Sequence, residues 1–186
     1  MLNKFIGRVK PAVSKIEKIN DRAYYARCYR EHAVQEQWIL YEAFAGRGIL
    51  CSPKAIFDAL KRRVEFKGYR HIWVLDSMKA HKDLIYKYKN DPSVIFVERH
   101  SKEYLKYLAE AKYLINNSTF PGYFIKREEQ VYINTWHGIP LKKMGYDMPG
   151  GNFTSANTIR NFLAADFLLS ANKRSEEHTS ELQSPN

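Results

Sequence analysis

Val131-Tyr-Ile-Asn-Thr-Trp-His-Gly-Ile-Pro-Leu-Lys-Lys-Met-Gly145 begins as a short apolar run of β-branched and aromatic residues and ends as a turn with two lysines. The run reads as a buried strand that closes near Thr135. Gly138 and Pro140 stop the strand and force a turn, leaving His137 on the first loop residues past its carboxyl end. In open α/β sheets that edge is where ligands bind. A titratable imidazole beside a turn glycine, with Lys142 and Lys143 following, suits chemistry on a phosphorylated substrate.

The same grammar recurs upstream. Gln37-Trp-Ile-Leu-Tyr-Glu-Ala-Phe44 reads as a first strand, followed by Gly46-Arg-Gly48, a tight loop where backbone can come close to a ligand. Ser52 is expected to cap a helix that has Pro53 at its first position and runs to about Val64, with Ile56, Phe57, Leu60 and Val64 on its buried side. His71 to Asp76, Val94 to Val97 and Tyr113 to Asn116 read as further strands. Between them lie a short helix over Asp83 to Tyr88 and a second capped by Ser101 that carries Tyr104, Leu105, Leu108 and Ala111. Met148 to Gly151 reads as a loop, Asn157 to Phe162 as a helix and Ala165 to Ser170 as another strand. Unbroken apolar strands alternating with helices predict an α/β fold, a Rossmann-like parallel sheet covered on both faces. Parallel strands all leave at one edge. Three loops are therefore expected to meet there: around Gly46 to Gly48, after Asn116, and at Trp136 to Gly138.

The chain of 186 residues is long enough for one domain with a real core. Its 45% hydrophobic and 14% aromatic content belongs to a globular protein, not a disordered one. A formal charge of +10 favours an anionic partner: a phosphorylated substrate, an acidic membrane surface or nucleic acid. Cys28 and Cys51 show no paired metal-type spacing, and the histidines show no zinc-ligand spacing, so a reducing cytosol is the plain inference. No apolar run approaches the roughly 20 residues that span a bilayer, and the N-terminus lacks a signal-peptide core. The expected location is cytoplasmic.

Residues 1–36 are expected to be a basic helical segment, broken near Pro11 and Asn20, with Lys4, Arg8, Lys10, Lys15, Lys18, Arg22, Arg27 and Arg30 against Glu17 and Asp21. Such a helix either lies on an anionic bilayer or packs on the domain with a solvated charged face. Residues 37–173 form the expected Rossmann-like domain. Arg174 to Ser184 resembles the in-frame translation of a sequencing adapter, so residues 174–186 are read as a non-native tail. The natural protein is then expected to continue past Lys173.

Several ordered motifs together resemble the CDP-glycerol glycerophosphotransferase family of teichoic acid biosynthesis. Thr135-Trp-His-Gly-Ile-Pro-Leu-Lys-Lys-Met-Gly145 followed by Asp147 is similar to the family signature TWHGTPLKKLGxD, with Ile139 replacing the usual threonine. Trp38 to Phe44 with Gly46, Pro53 to Ile56, His71 to Leu75 and Ala111 to Asn117 resemble its other segments, with Ala43 where serine is frequent. The likeness covers about Trp38 to Ser170 and implies the N-terminal, acceptor-side domain of a GT-B architecture. A second catalytic histidine and most of the CDP-alcohol site would lie in a C-terminal domain that this chain lacks, so the fragment itself is expected to be inactive.

The resemblance implies that a polyol hydroxyl attacks the β-phosphorus of CDP-glycerol or CDP-ribitol and that CMP leaves, with His137 as general base. The other reading of His137 is a side chain that only fixes its loop. Arg47, Gly46, Gly48, Thr135, Gly138, Lys142 and Lys143 are the candidate substrate- and phosphate-binding residues, although lysines after a turn are often merely solvated. Trp136 is read as a packing anchor. The implied partners are a teichoic acid or glycerol-phosphate primer and the anionic inner face of the cell membrane, with no covalently bound cofactor. Two rivals remain open on sequence grounds: a GT-B glycosyltransferase using a nucleotide sugar, and a basic nucleic-acid-binding module. The second lacks any helix-turn-helix, RNA-recognition or zinc pattern.

Overall fold

A computed structural model describes residues 20–137 and 151–169. Among the described residues, six strands form one fully parallel sheet. They are β1 (Gln35–Glu42), β2 (Arg70–Leu75), β3 (Val94–Glu98), β4 (Ala111–Asn116), β5 (Val131–Asn134) and β6 (Phe167–Leu168), in spatial order β3-β2-β1-β4-β5-β6. The central strands are buried on both faces, which is why they read as apolar runs without polar alternation.

Helices α1 (20–31), α2 (Cys51–Lys61), α3 (Lys82–Lys87), α4 (Lys102–Glu110) and α5 (Gly151–Ala164) connect and cover the strands. On one face, Tyr25 and Cys28 of α1 and Tyr104, Leu105 and Leu108 of α4 pack on Leu40, Val74, Leu114 and Tyr132. On the other, Phe57 of α2 meets Ile39, Tyr41, Trp73 and Ile115. Ser101 caps α4 as expected, its hydroxyl accepting from the Tyr104 N–H at 3.1 Å.

The expected boundary at residue 36 gives way here, because α1 belongs to the domain. Buried Arg127 donates to the carbonyls of His32 (2.7 Å), Cys28 (3.1 Å) and Tyr29, satisfying the carbonyls left open at the end of α1. For residues 20–31, packing on the domain is thus the reading that holds; residues 1–19 lie outside the described residues.

Other local expectations also shift. Ser52 does not cap α2: the N-cap is Leu50, Cys51 takes a left-handed φ of 56°, and Pro53 sits within the first turn, where its missing N–H costs nothing. The helix ends at Lys61, and Val64, in a separate 3₁₀ turn (Val64–Phe66), is 67% exposed and not buried. β1 ends at Glu42, so Ala43 and Phe44 already belong to the loop. Gly151, read as loop, opens α5, which extends through Ala164.

Candidate active site

The strand order reverses between β1 and β4, and β5 lies next to β4, so the loops after these three strands converge at the sheet's carboxyl edge. This is the crevice where open α/β sheets take their ligands. The three loops expected from the sequence to meet there do so through Asn117. Its side-chain Oδ1 accepts a 2.8 Å hydrogen bond from the Phe44 N–H, and its backbone carbonyl accepts from Nδ1 of His137.

Each arm of the site is anchored in the sheet. Thr135 N–H donates to the Asn116 carbonyl at 2.8 Å, and Trp136 N–H to Asn134 Oδ1 at 2.8 Å. Asn134 Nδ2 in turn donates to the Ser118 carbonyl at 3.0 Å and to the Tyr132 hydroxyl at 2.9 Å. Helix α5 closes the network from outside: Asn161 Oδ1 accepts from the Phe120 N–H at 2.8 Å and from the Tyr132 hydroxyl at 3.2 Å. The Trp136 indole stands edge-on to Phe162 with ring centres 4.7 Å apart, the packing role expected of it.

His137 itself is exposed, so the ring is not lost in apolar packing. A carbonyl can only accept, so Nδ1 carries the proton and donates, and Nε2 of the neutral ring is left with its lone pair. The Phe44 ring lies 5.1 Å from the imidazole and the Trp136 ring 4.7 Å from it. Phe44, Ala45 and Trp136 have left-handed φ values of 48°, 57° and 44°, a costly conformation for residues with side chains and one that gathers at functional sites.

The conformation of the glycine loop is set in part by a contact inside the protein. Gly46 has φ of 97°, and a Cβ placed there would stand 2.4 Å from the Asp76 nitrogen. Its carbonyl accepts from that Asp76 N–H at 2.8 Å. The close approach is therefore to the end of β2, within the protein. Gly46 and Gly48 are buried, and Arg47 between them is exposed. Thr135 is 8% exposed and occupied with the Asn116 carbonyl, so it holds the loop. Gly138, Lys142 and Lys143 lie outside the described residues.

A buried polar cluster flanks the crevice and was not singled out from the sequence. Glu42, the last residue of β1, is 0% exposed and pairs with Arg99 (Nε to Oε1, 3.3 Å), which follows β3. Burial pushes the Glu42 carboxyl above its ordinary value, against the Arg99 charge and the Tyr104 hydroxyl, which lower it. Arg99 Nη1 also meets His100 Nε2 at 2.8 Å. A glutamate ending an apolar strand was the available signal; its arginine partner, far along the chain, was not.

Among the described residues, no helix is long and apolar enough to cross a membrane, and no group of three or more histidine, cysteine, aspartate or glutamate residues is placed to hold a metal ion.

Fold and site together define a Rossmann-like, doubly wound α/β domain with a histidine at the carboxyl edge beside its switch point. Residues 24–182 match the family model described as CDP-Glycerol:Poly(glycerophosphate) glycerophosphotransferase, and the chain belongs to that family. A teichoic acid poly(glycerol phosphate) polymerase of Bacillus spizizenii is 36% identical over 149 residues, covering 76% of this chain and 36% of the relative. A teichoic acid glycerol-phosphate transferase of Staphylococcus aureus is 29% identical, over 64% of this chain and 28% of its own. Among solved structures, the wall teichoic acid polymerase TagF, as a histidine-to-asparagine variant soaked with CDPG, superposes with a TM-score of 0.73 at 29% identity. That match covers 96% of this chain and 43% of the other. The chain thus spans less than half the length of each of these relatives.

Proposed function

We propose that the chain is the acceptor-side domain of a two-domain GT-B enzyme that transfers glycerol phosphate from CDP-glycerol to the hydroxyl end of a teichoic acid chain. The observation that carries this reading is His137: exposed at the switch-point edge, with Nδ1 donating to the Asn117 carbonyl, which leaves the proton-accepting lone pair on Nε2. A hydroxyl is a poor nucleophile at neutral pH. As its oxygen forms a bond to the β-phosphorus, Nε2 takes the proton, the bridging P–O bond breaks, and CMP leaves with the electron pair. CDP-ribitol is the other donor of this chemistry. In this reading catalysis also needs a donor-side domain, and the 186-residue chain alone is expected to release no CMP from CDP-glycerol. The enzyme works on the cytoplasmic face of the membrane, held there peripherally by the basic residues between Lys4 and Lys18.

The net charge of +10 suits an acceptor that is itself a polyphosphate chain. The 186-residue chain is therefore expected to bind glycerol-phosphate oligomers, more weakly as salt rises, and to prefer them to DNA or RNA of equal charge. Equilibrium titration at two ionic strengths checks this. Tight nucleic-acid binding with no affinity for the oligomers would contradict it.

A further inference from the structure

We propose that Asn117 is a positioning residue for His137, tying the tautomer of the imidazole to the left-handed turn at Phe44 and Ala45. The proposal rests on the reading of His137 as a base, but its test does not require turnover.

Asn117 directly follows β4 at the switch point and is fully buried. It touches both neighbouring loops with different parts of itself. The backbone carbonyl accepts from His137 Nδ1, and the side-chain Oδ1 accepts from the Phe44 N–H at 2.8 Å. The circuit closes through the rings, since Phe44 stands edge-on to His137 at 5.1 Å. Phe44 and Ala45 are held at φ 48° and 57°, and such strain persists only where the surroundings over-determine it. The Asn117 side chain supplies that constraint. Trp136 limits the imidazole from another side, at 4.7 Å and 31°.

The consequence is chemical. In water, neutral imidazole favours the proton on Nε2, the nitrogen remote from the chain. Here the carbonyl of Asn117 reverses that preference, so the outer nitrogen is the one able to accept a proton. Loss of the side-chain amide frees residue 117 to move with its carbonyl, and the tautomer is no longer imposed.

Asn117 Nδ2 has no hydrogen-bond partner among the described residues, so exchange for a carboxylate forfeits no donor bond. Asn117→Asp therefore keeps an oxygen in place for the Phe44 N–H and leaves residue 117 anchored. The two variants differ in outcome: Asn117→Ala disturbs the tautomer, whereas Asn117→Asp keeps it.

Long-range ¹H–¹⁵N correlation spectra of the histidine-labelled 186-residue chain read the tautomer. In the wild type, the neutral ring of His137 should show a protonated Nδ1 and an unprotonated Nε2. Asn117→Ala should shift both nitrogens towards the averaged pattern of a free ring, whereas Asn117→Asp should keep the wild-type pattern. If Asn117→Ala fails to fold by circular dichroism, the wild-type and Asn117→Asp spectra decide. A wild-type ring protonated on Nε2, an unchanged pattern in folded Asn117→Ala, or the averaged pattern in folded Asn117→Asp would each overturn the proposal. Inactivity of the longer enzyme with the expected tautomer present would instead count against the transferase reading.

Discussion

In the full-length protein, His137→Ala is expected to lower CMP release from CDP-glycerol at least about a hundredfold, the lower range of what a positioned general base contributes. The loss should fall on kcat more than on KM, because proton transfer from the attacking hydroxyl belongs to the transition state and not to binding. The fold should survive, since the ring is exposed and its Nδ1 donates to a backbone carbonyl. His137→Gln separates the two possible roles of the ring. It can still hydrogen-bond within the loop but cannot accept a proton at neutral pH, so it should be as impaired as the alanine variant. A His137→Gln enzyme of near wild-type rate would reduce the histidine to a loop-fixing part.

Arg99→Ala is expected to cost about 3–5 kcal/mol of folding stability at neutral pH, as for other buried pairs stripped of one partner. Glu42 has no exposure, and the Arg99 charge is the largest influence holding its pKa down against burial. Without that charge the folded-state pKa of Glu42 rises further above its unfolded value. A carboxyl shifted upward in the fold favours folding most when protonated, so the deficit is full at neutral pH and shrinks as pH falls into the ordinary glutamate range. Urea denaturation of the variant at neutral and mildly acidic pH measures this. Adding Glu42→Gln to Arg99→Ala removes the stranded charge and should recover part of the loss and most of the pH dependence. A deficit equal at both pH values would mean that Glu42 is not the group left unpaired.

Much of this architecture was legible because both faces of the sheet are covered. Burial on two sides makes a strand an uninterrupted apolar word, and β2 and β4 were bounded to within two residues on that signal alone. The convergence of three loops followed from parallelism, since all strands must leave at one edge. What brings them together is Asn117, whose role depends on β4 lying between β1 and β5, a matter of strand order that no local pattern encodes. The Glu42–Arg99 pair was hidden for the same reason: its members end strands that are not neighbours in the sheet. Local signals misled where backbone conformation overrode them. The Ser52-Pro53 pair looked like a helix start, but the left-handed Cys51 moved the cap back to Leu50. At Gly46 the pattern could not show that the missing Cβ makes room for the backbone of Asp76, which lies 30 residues away in sequence.

The most direct measurement supplies the full-length protein with CDP-glycerol and a defined glycerol-phosphate primer, then follows CMP and primer mass together. One CMP should form for each glycerol-phosphate unit added to the primer, with neither product in the absence of primer. CMP released without primer growth, or a primer that grows only on a nucleotide sugar, would contradict the assignment.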